Sequence, residues 1–239
     1  MELNSLGELP PGQLDALYEA CGSVSSEAFD TTTDDFWERH RTLNKHLEVA
    51  GLILVADVHD VVVGYSEFSR WEFPEGVCLY YHTAFHPSHQ RQGLGPRLHA
   101  RLIVRELIRR PHRTLYVAGR TRTPSVLARA RKALGPDNVH PLPGQAVPPH
   151  VVRVARRLFD LRLGKRATQA EEQPTHLIDS ELRVVGNALD LHRDQFPSSG
   201  DAEIDAHFEK LGAGEAYLTM QLISVAAWLK WATSKAFAR

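Results

Sequence analysis

The sequence predicts an α/β (α+β) chain, a sheet flanked by helices, and three stretches carry that prediction. Leu52 to Asp57 and Val61 to Arg70 are apolar, β-branched-rich runs joined around His59-Asp60, the pattern of a β-hairpin. Phe85-His86-Pro87-Ser88-His89-Gln90-Arg91-Gln92-Gly93-Leu94-Gly95-Pro96-Arg97-Leu98 reads as a strand end, a glycine-marked loop and the first turn of a long helix. Thr114 to Ala118 reads as a further strand and Pro124 to Leu134 as a helix behind it.

Taken in order, Pro10-Pro11 with Leu14, Leu17 and Tyr18 predicts a short N-terminal helix. Thr31-Thr32-Thr33-Asp34-Asp35 caps a second, with Phe36, His40, Leu43 and Leu47 along one face. No strand is legible before these helices. The hairpin follows, and Val77 to Phe85 is a third strand running into the loop. Beyond the loop, Ala100, Ile103, Val104 and Leu107 recur at the spacing of a buried helical face. Gly135 to His150 carries five prolines and marks a boundary. His150 to Leu163 is a basic amphipathic helix, with Val151, Val154, Ala155 and Leu158 inward and Arg153, Arg156 and Arg157 outward. After a polar linker, Lys165 to Pro174, come a strand (Leu182 to Val185), a polar loop at Pro197-Ser198-Ser199-Gly200, a helix near Asp205 to Leu211, a strand (Ala216 to Ile223) and a closing helix.

Glycines at a strand–helix junction let backbone N–H groups approach an anion, and the helix dipole favours negative charge there. The spacing Gln90-x-x-Gly93-x-Gly95 is neither the dinucleotide fingerprint nor a nucleotide P-loop, which needs Lys-Ser/Thr. With the ordered strands around it, it resembles the acyl-coenzyme-A signature of the GNAT (GCN5-related) N-acetyltransferase superfamily, written (Gln/Arg)-x-x-Gly-x-(Gly/Ala). Hairpin, strand, glycine loop, helix, strand, helix is also that family's core order, over about residues 35–135.

The resemblance implies a GNAT fold, a mixed, mostly antiparallel sheet flanked by helices. Residues 1–135 would form the acyl-CoA-binding core, and 136–239 a C-terminal elaboration completing the same sheet. It implies acetyl-CoA or another acyl-CoA as co-substrate: backbone groups of Thr83 and Phe85 on the pantetheine, amides from Gln90, Arg91, Gln92, Gly93, Leu94 and Gly95 on the pyrophosphate, and charge from Arg91. The usual carboxylate position on the strand before the loop falls on Tyr81, with His82 beside it and Glu67 on the neighbouring strand as a third candidate base. Imidazole suits a base near neutrality, and strand alternation puts Tyr81 and His82 on opposite faces unless a bulge intervenes. Glu67 could equally face solvent. Trp37 and Trp71 are the expected acceptor contacts.

The chain departs from the family after the fourth strand. Thr123 stands in the place of a frequent Asn, and Ala130 in that of the Tyr that protonates the coenzyme thiolate. Tyr217 or water would have to supply that proton. His82, His86, His89 and His99 cluster around the loop, but no carboxylate or cysteine completes a metal set in sequence, and no metal is expected.

Composition narrows the classes. The apolar share of 43% suits a globular core, and a net charge of −1 without a basic run argues against nucleic acid as partner. Two cysteines, Cys21 and Cys78, make no disulfide framework. Glu2 follows Met1 with no apolar core behind it, and Ala216 to Leu229 is too short and interrupted for a membrane span, so a cytoplasmic setting is expected. The expected function is acyl-CoA-dependent N-acyltransfer to a small-molecule or peptide amine. The alternative is a GNAT scaffold that senses an acyl-CoA or serves another biosynthetic step. The long tail could build a homodimer interface.

Overall fold

Two apolar runs on either side of Asp57 fold back on each other as expected. The computed structural model describes residues 2–3, 6, 9–29, 50–167, 178–184, 198–212, 214–226 and 228–229. It shows a mixed α/β fold of mostly antiparallel strands, in two compact units: one within 1–70 and 80–105, the other within 71–79, 106–188 and 195–239.

The strand order begins β1 (Glu2–Leu3), β2 (Gly51–Ala56), β3 (Val62–Phe73), β4 (Gly76–Phe85), with residues 71–73 of β3 and 76–79 of β4 belonging to the second unit. β2 pairs with β3 from Gly51 opposite Phe68 to Ala56 opposite Val62. The turn is built by Asp57, whose Oδ1 accepts the amides of His59 (2.8 Å) and Val61 (3.0 Å), and by Asp60, which takes a left-handed φ of 60° that aspartate tolerates. β1, absent from the sequence-based expectation, pairs Glu2 with Ile53 and Leu3 with Leu52. Two residues are too few to show an alternation. The N-terminal helix α1 (Pro11–Phe29) is longer than the short helix expected. Its Leu17, Tyr18, Cys21, Val24 and Ala28 bury against Leu52, Leu54, Tyr65 and Ala84, each large apolar side chain worth about 1.5–3 kcal/mol when withdrawn from water. The second helix expected, around Phe36 to Leu47 with Trp37, lies outside the described residues. α2 (Leu94–Arg109) follows the glycine loop; Leu102, Ile103 and Leu107 are buried, and the guanidinium of Arg105 lies 5.2 Å from the ring of Phe68.

In the second unit β5 (Leu115–Thr121) pairs with β8 (Ala216–Ile223) over its whole length. The free edge of β8 takes two short strands, β6 (Val139–His140) opposite Gln221 and Met220, and β7 (Arg183–Val184) opposite Tyr217 and Ala216. The tail strand therefore hydrogen-bonds directly to the strand expected at Thr114 to Ala118. α3 (Pro124–Leu134) and α5 (Ala202–Phe208) pack around Leu127, Val139, Ile204, Phe208 and Tyr217. α5 begins earlier than expected because Asp201 caps it, its carboxylate accepting the amides of Glu203 and Ile204. α4 (Pro149–Ala167) buries Val151, Val154, Ala155 and Leu158 and turns Arg153, Arg156 and Arg157 outward, as its periodicity predicts. Arg153 and Arg157 grip Glu75 at 3.3 and 2.9 Å; a backbone amide and these arginines hold its carboxyl below the usual range. α4 ends inside the stretch read as a linker, and the rest of that stretch lies outside the described residues. No helix among the described residues is long and apolar enough to cross a membrane.

Candidate functional site

β4 runs out at Phe85 and the chain makes one 3-10 turn, Pro87–His89, before α2 starts at Leu94. The turn is tied by the amide of His89 to the carbonyl of His86 (2.8 Å) and that of Gln90 to Pro87 (3.2 Å). Two side-chain amides brace the loop: Gln90 Nε2 donates to the carbonyl of Phe85 at 3.0 Å, and Gln92 Nε2 to that of Ser88 at 3.1 Å. Arg91 and Gly93 take left-handed φ values of 62° and 73°. A Cβ on Gly93 would meet nothing within 4 Å, so it is the backbone angle that favours glycine, and the space beside it is open. The amides of Leu94 and Gly95 stand in the first helical turn, where no intrahelical acceptor exists. Pro96, in the same turn, forgoes an N–H that would have had none. Gln90, Arg91, Gln92 and Gly93 are exposed. An open helix start with left-handed angles at Arg91 and Gly93 can receive an anion.

The strand end is arranged to match. The amide of His86 donates to the carbonyl of Val63 at 2.9 Å. Alternation along β4 therefore turns the backbone groups of Thr83 and Phe85 away from β3. The ring of Phe85 lies over Gly64, where an added Cβ would come within 2.2 Å of its Cδ1, and beside Gly95, where the corresponding distance is 3.6 Å.

Tyr81 and His82 face opposite ways, as alternation predicts. On the α2 side, Thr83 Oγ1 links Ser66 Oγ (2.8 Å) to His99 Nε2 (2.9 Å), and the rings of Tyr81 and His99 are 3.9 Å apart. Burial holds His99 down to about 4, leaving a neutral imidazole at neutral pH. On the α1 side, His82 Nδ1 lies 3.1 Å from the hydroxyl of Tyr65, which is also hydrogen-bonded to Ser25. The ring of Phe29 is 5.6 Å from that of His82. Glu67 shares this face by the two-residue period from Tyr65 and is only 5% exposed, so it does not face solvent. Burial first, and the charge of Glu67 second, push the Cys21 thiol far above its ordinary range. Glu67 and His82 thus share one face, and Tyr81 lies on the other.

Trp71 sits in the second half of β3, within the second unit, and Trp37 lies outside the described residues. Also in the second unit, Thr123 caps α3 without a side-chain bond, and Ala130 packs at the edge of the Leu127 cluster. The hydroxyl of Tyr217, the candidate acid, donates to the carbonyl of His207 at 3.3 Å. Its ring stacks on His207 at 4.3 Å with 1% exposure, and burial pushes its phenol up to about 12. That hydroxyl is committed to the core. Among the described residues no group of three or more His, Cys, Asp or Glu is arranged to hold a metal. The sequence reading passed over Tyr65, Ser25, Ser66 and His99 as partners of β4. Alternation along β3 could have placed Tyr65 beside Glu67, but nothing local points to Ser25, forty residues upstream.

The chain thus combines an α/β fold with a glycine loop at an open helix start, an arrangement that can receive an anion. Residues 14–126 match the model of the acetyltransferase (GNAT) family. No curated protein matches it. Among solved structures it is similar to a GNAT family acetyltransferase from Brucella melitensis in complex with acetyl-CoA, at 15% identity over 46% of this chain and 71% of that one, TM-score 0.32. It is similar also to Tetrahymena GCN5, at 11% identity over 63% and 84%, TM-score 0.42. A third is an aminoglycoside acetyltransferase from an uncultured soil metagenomic sample, at 18% over 49% and 76%, TM-score 0.36.

Proposed function

We propose that this chain is an acyl-CoA-dependent N-acyltransferase, with acetyl-CoA as its simplest co-substrate and the amine of a small molecule or peptide as acceptor. The observation that carries the reading is the loop Gln90–Gly95 at the start of α2, exposed from Gln90 to Gly93 and inside the segment that matches the family. Its amides and Arg91 would hold the pyrophosphate. The backbone of Thr83 and Phe85, turned away from β3, would take the pantetheine amides. The coenzyme supplies an activated thioester; the protein supplies position and proton transfer. Of the three candidate bases we assign the role to His82, because the Tyr65 hydroxyl, 3.1 Å from its Nδ1, holds the ring in place and imidazole suits a base near neutrality. Glu67 on the same face would set the local charge. Tyr81 packs on His99 and would shape the α2 side. Trp71 and Trp37 remain the proposed acceptor contacts.

A second reading, an acyl-CoA sensor or a scaffold for another step, is favoured by Ala130 in the place of the family's tyrosine and by the commitment of Tyr217 to His207. Isothermal titration with acetyl-CoA and CoA, with thiol release measured over a panel of amines, separates the two. Binding with thiol release supports the transferase, and binding without turnover on any amine supports the sensor. Absence of binding removes both.

A further inference from the structure

A second chemical constellation lies just before the proposed coenzyme loop, and the reading above uses none of it. Ser88 Oγ is 2.6 Å from His86 Nδ1, and His86 Nε2 is 2.6 Å from the carboxylate of Glu27 on α1. The amide of Ser88 also directs its N–H at Nδ1, at 3.3 Å, which makes Nδ1 an acceptor and places the proton of a neutral ring on Nε2, facing Glu27. The hydroxyl of Ser88 then donates to Nδ1. Its other neighbour, His89 Nδ1 at 2.9 Å, is left as donor to Oγ. The directions close into one chain: His89 to Ser88 to His86 to Glu27. Ser88 is an exposed residue.

We propose that Ser88 is a nucleophile served by His86 as base and by Glu27 as the group that orients the imidazole, acting on activated esters or thioesters of small carboxylic acids. A hydroxyl, a base in hydrogen-bond reach and a carboxylate behind the base are the three parts nucleophilic catalysis requires. The two ring nitrogens are exchanged relative to the usual serine hydrolase arrangement. In the first step Oγ bonds to the carbonyl carbon as its proton passes to His86 Nδ1. The bond from carbon to the leaving sulfur or oxygen breaks, and the leaving group takes that proton. Water then attacks the acyl-serine, giving its proton to His86. The acid departs, and Oγ recovers the proton. Glu27 remains a carboxylate, facing the transient imidazolium. None of this depends on the coenzyme loop.

The test is to treat the whole protein with a fluorophosphonate probe and follow adduct formation by intact mass and peptide mapping, with p-nitrophenyl acetate hydrolysis in parallel. The expected result is a single adduct on Ser88, absent in Ser88→Ala and forming on the order of 10²-fold more slowly in His86→Ala. Glu27→Gln slows it several-fold. No adduct, an adduct on another side chain, or an unchanged rate in His86→Ala overturns the proposal. Peptide mapping of the unsubstituted protein decides the site even if a variant misfolds. Labelled Ser88 in a protein that binds no acyl-CoA would support this proposal while removing the previous one.

Discussion

The hydroxyl of Tyr65 on β3 lies 3.1 Å from Nδ1 of His82 on β4, and its second hydrogen bond runs to Ser25 on α1. Three elements distant in sequence therefore meet in one polar chain on the α1 side of the sheet. If His82 takes the proton from the acceptor amine at Nε2, its Nδ1–H must be donated, and Tyr65 is the acceptor that holds it. Tyr65→Phe should lower kcat by about tenfold or more, with a smaller change in KM and a shifted pH profile. The stability loss should be about 1 kcal/mol, the worth of an average buried hydrogen bond. Thiol-release kinetics across pH, with urea denaturation on the same protein, check both. An unchanged kcat at every pH would remove His82 from the mechanism as drawn.

On the opposite face, His99 is kept neutral, its ring against Tyr81 and its Nε2 on Thr83. The folded ring binds a proton only near pH 4, whereas an unfolded one does so near the ordinary value of 6.5. Below that value the unfolded state holds the extra proton, so stability falls as pH drops. The loss builds between about pH 6.5 and 4 and is on the order of 1–3 kcal/mol, allowing for some exposure of the ring. Urea midpoints at pH 7, 5.5 and 4.5 should decline in that order, and His99→Gln should flatten the decline. A decline of equal size in the variant would assign the acid sensitivity to other groups.

Gly64 and Gly93 make opposite demands. Gly64→Ala drives a Cβ to 2.2 Å from the ring of Phe85, which must move off β3 and away from Gly95. The cost should be about 1–3 kcal/mol, read as a lower thermal midpoint. Gly93→Ala meets no neighbour and pays only for its left-handed φ of 73°, about 1 kcal/mol. Its larger effect should be on acetyl-CoA affinity, measured by titration. Equal affinity in Gly93→Ala and the parent would argue against the loop as anion cradle.

What the sequence makes legible here is what period and punctuation encode. The apolar runs of β3 and β4, the glycine loop before α2, the buried row Val151, Val154, Ala155, Leu158 on α4 and the bounds of β8 could all be read directly. Short or capped elements could not. β1 is two residues long, with its partner Ile53 fifty-one positions away, and α5 depends on a single aspartate cap at Asp201. The site divides the same way. Strand alternation separates Tyr81 from His82, but the partners that give each a chemical setting, His99 and Tyr65, come from α2 and β3 through packing. Glu67 shows the limit most plainly: in the sequence it is either a candidate base or a solvent-facing carboxylate, and only the packing of that face shows it buried.

In the second unit, Tyr217→Phe should leave turnover intact. Its hydroxyl serves the carbonyl of His207, and its ring lies in the cluster of Leu127, Ile204 and Phe208. Loss of one buried hydrogen bond should cost about 1 kcal/mol, as a lower urea midpoint. A kcat reduced by more than tenfold in a well-folded Tyr217→Phe would instead restore this phenol as the acid.

The two cysteines provide a readout for each unit by itself. Cys21 is buried in the first, on the inner face of α1, and Cys78 in the second, on β4. Burial pushes the Cys78 thiol up to about 12 and the Cys21 thiol higher still, so neither holds a useful thiolate population at pH 8. Ellman's reagent should therefore react with neither thiol of the native protein on the timescale of minutes, and with both at once in concentrated urea. Because the folded values are raised, the unfolded chain alone ionises as pH climbs past about 9, and stability should fall above that point. Mass spectrometry of partially labelled protein then gives separate opening rates for Cys21 and Cys78. Equal rates at several sub-denaturing urea concentrations would mean the units open together, and Cys21 labelling ahead of Cys78 would make the first unit the less stable. Prompt reaction of either thiol without denaturant would contradict its burial.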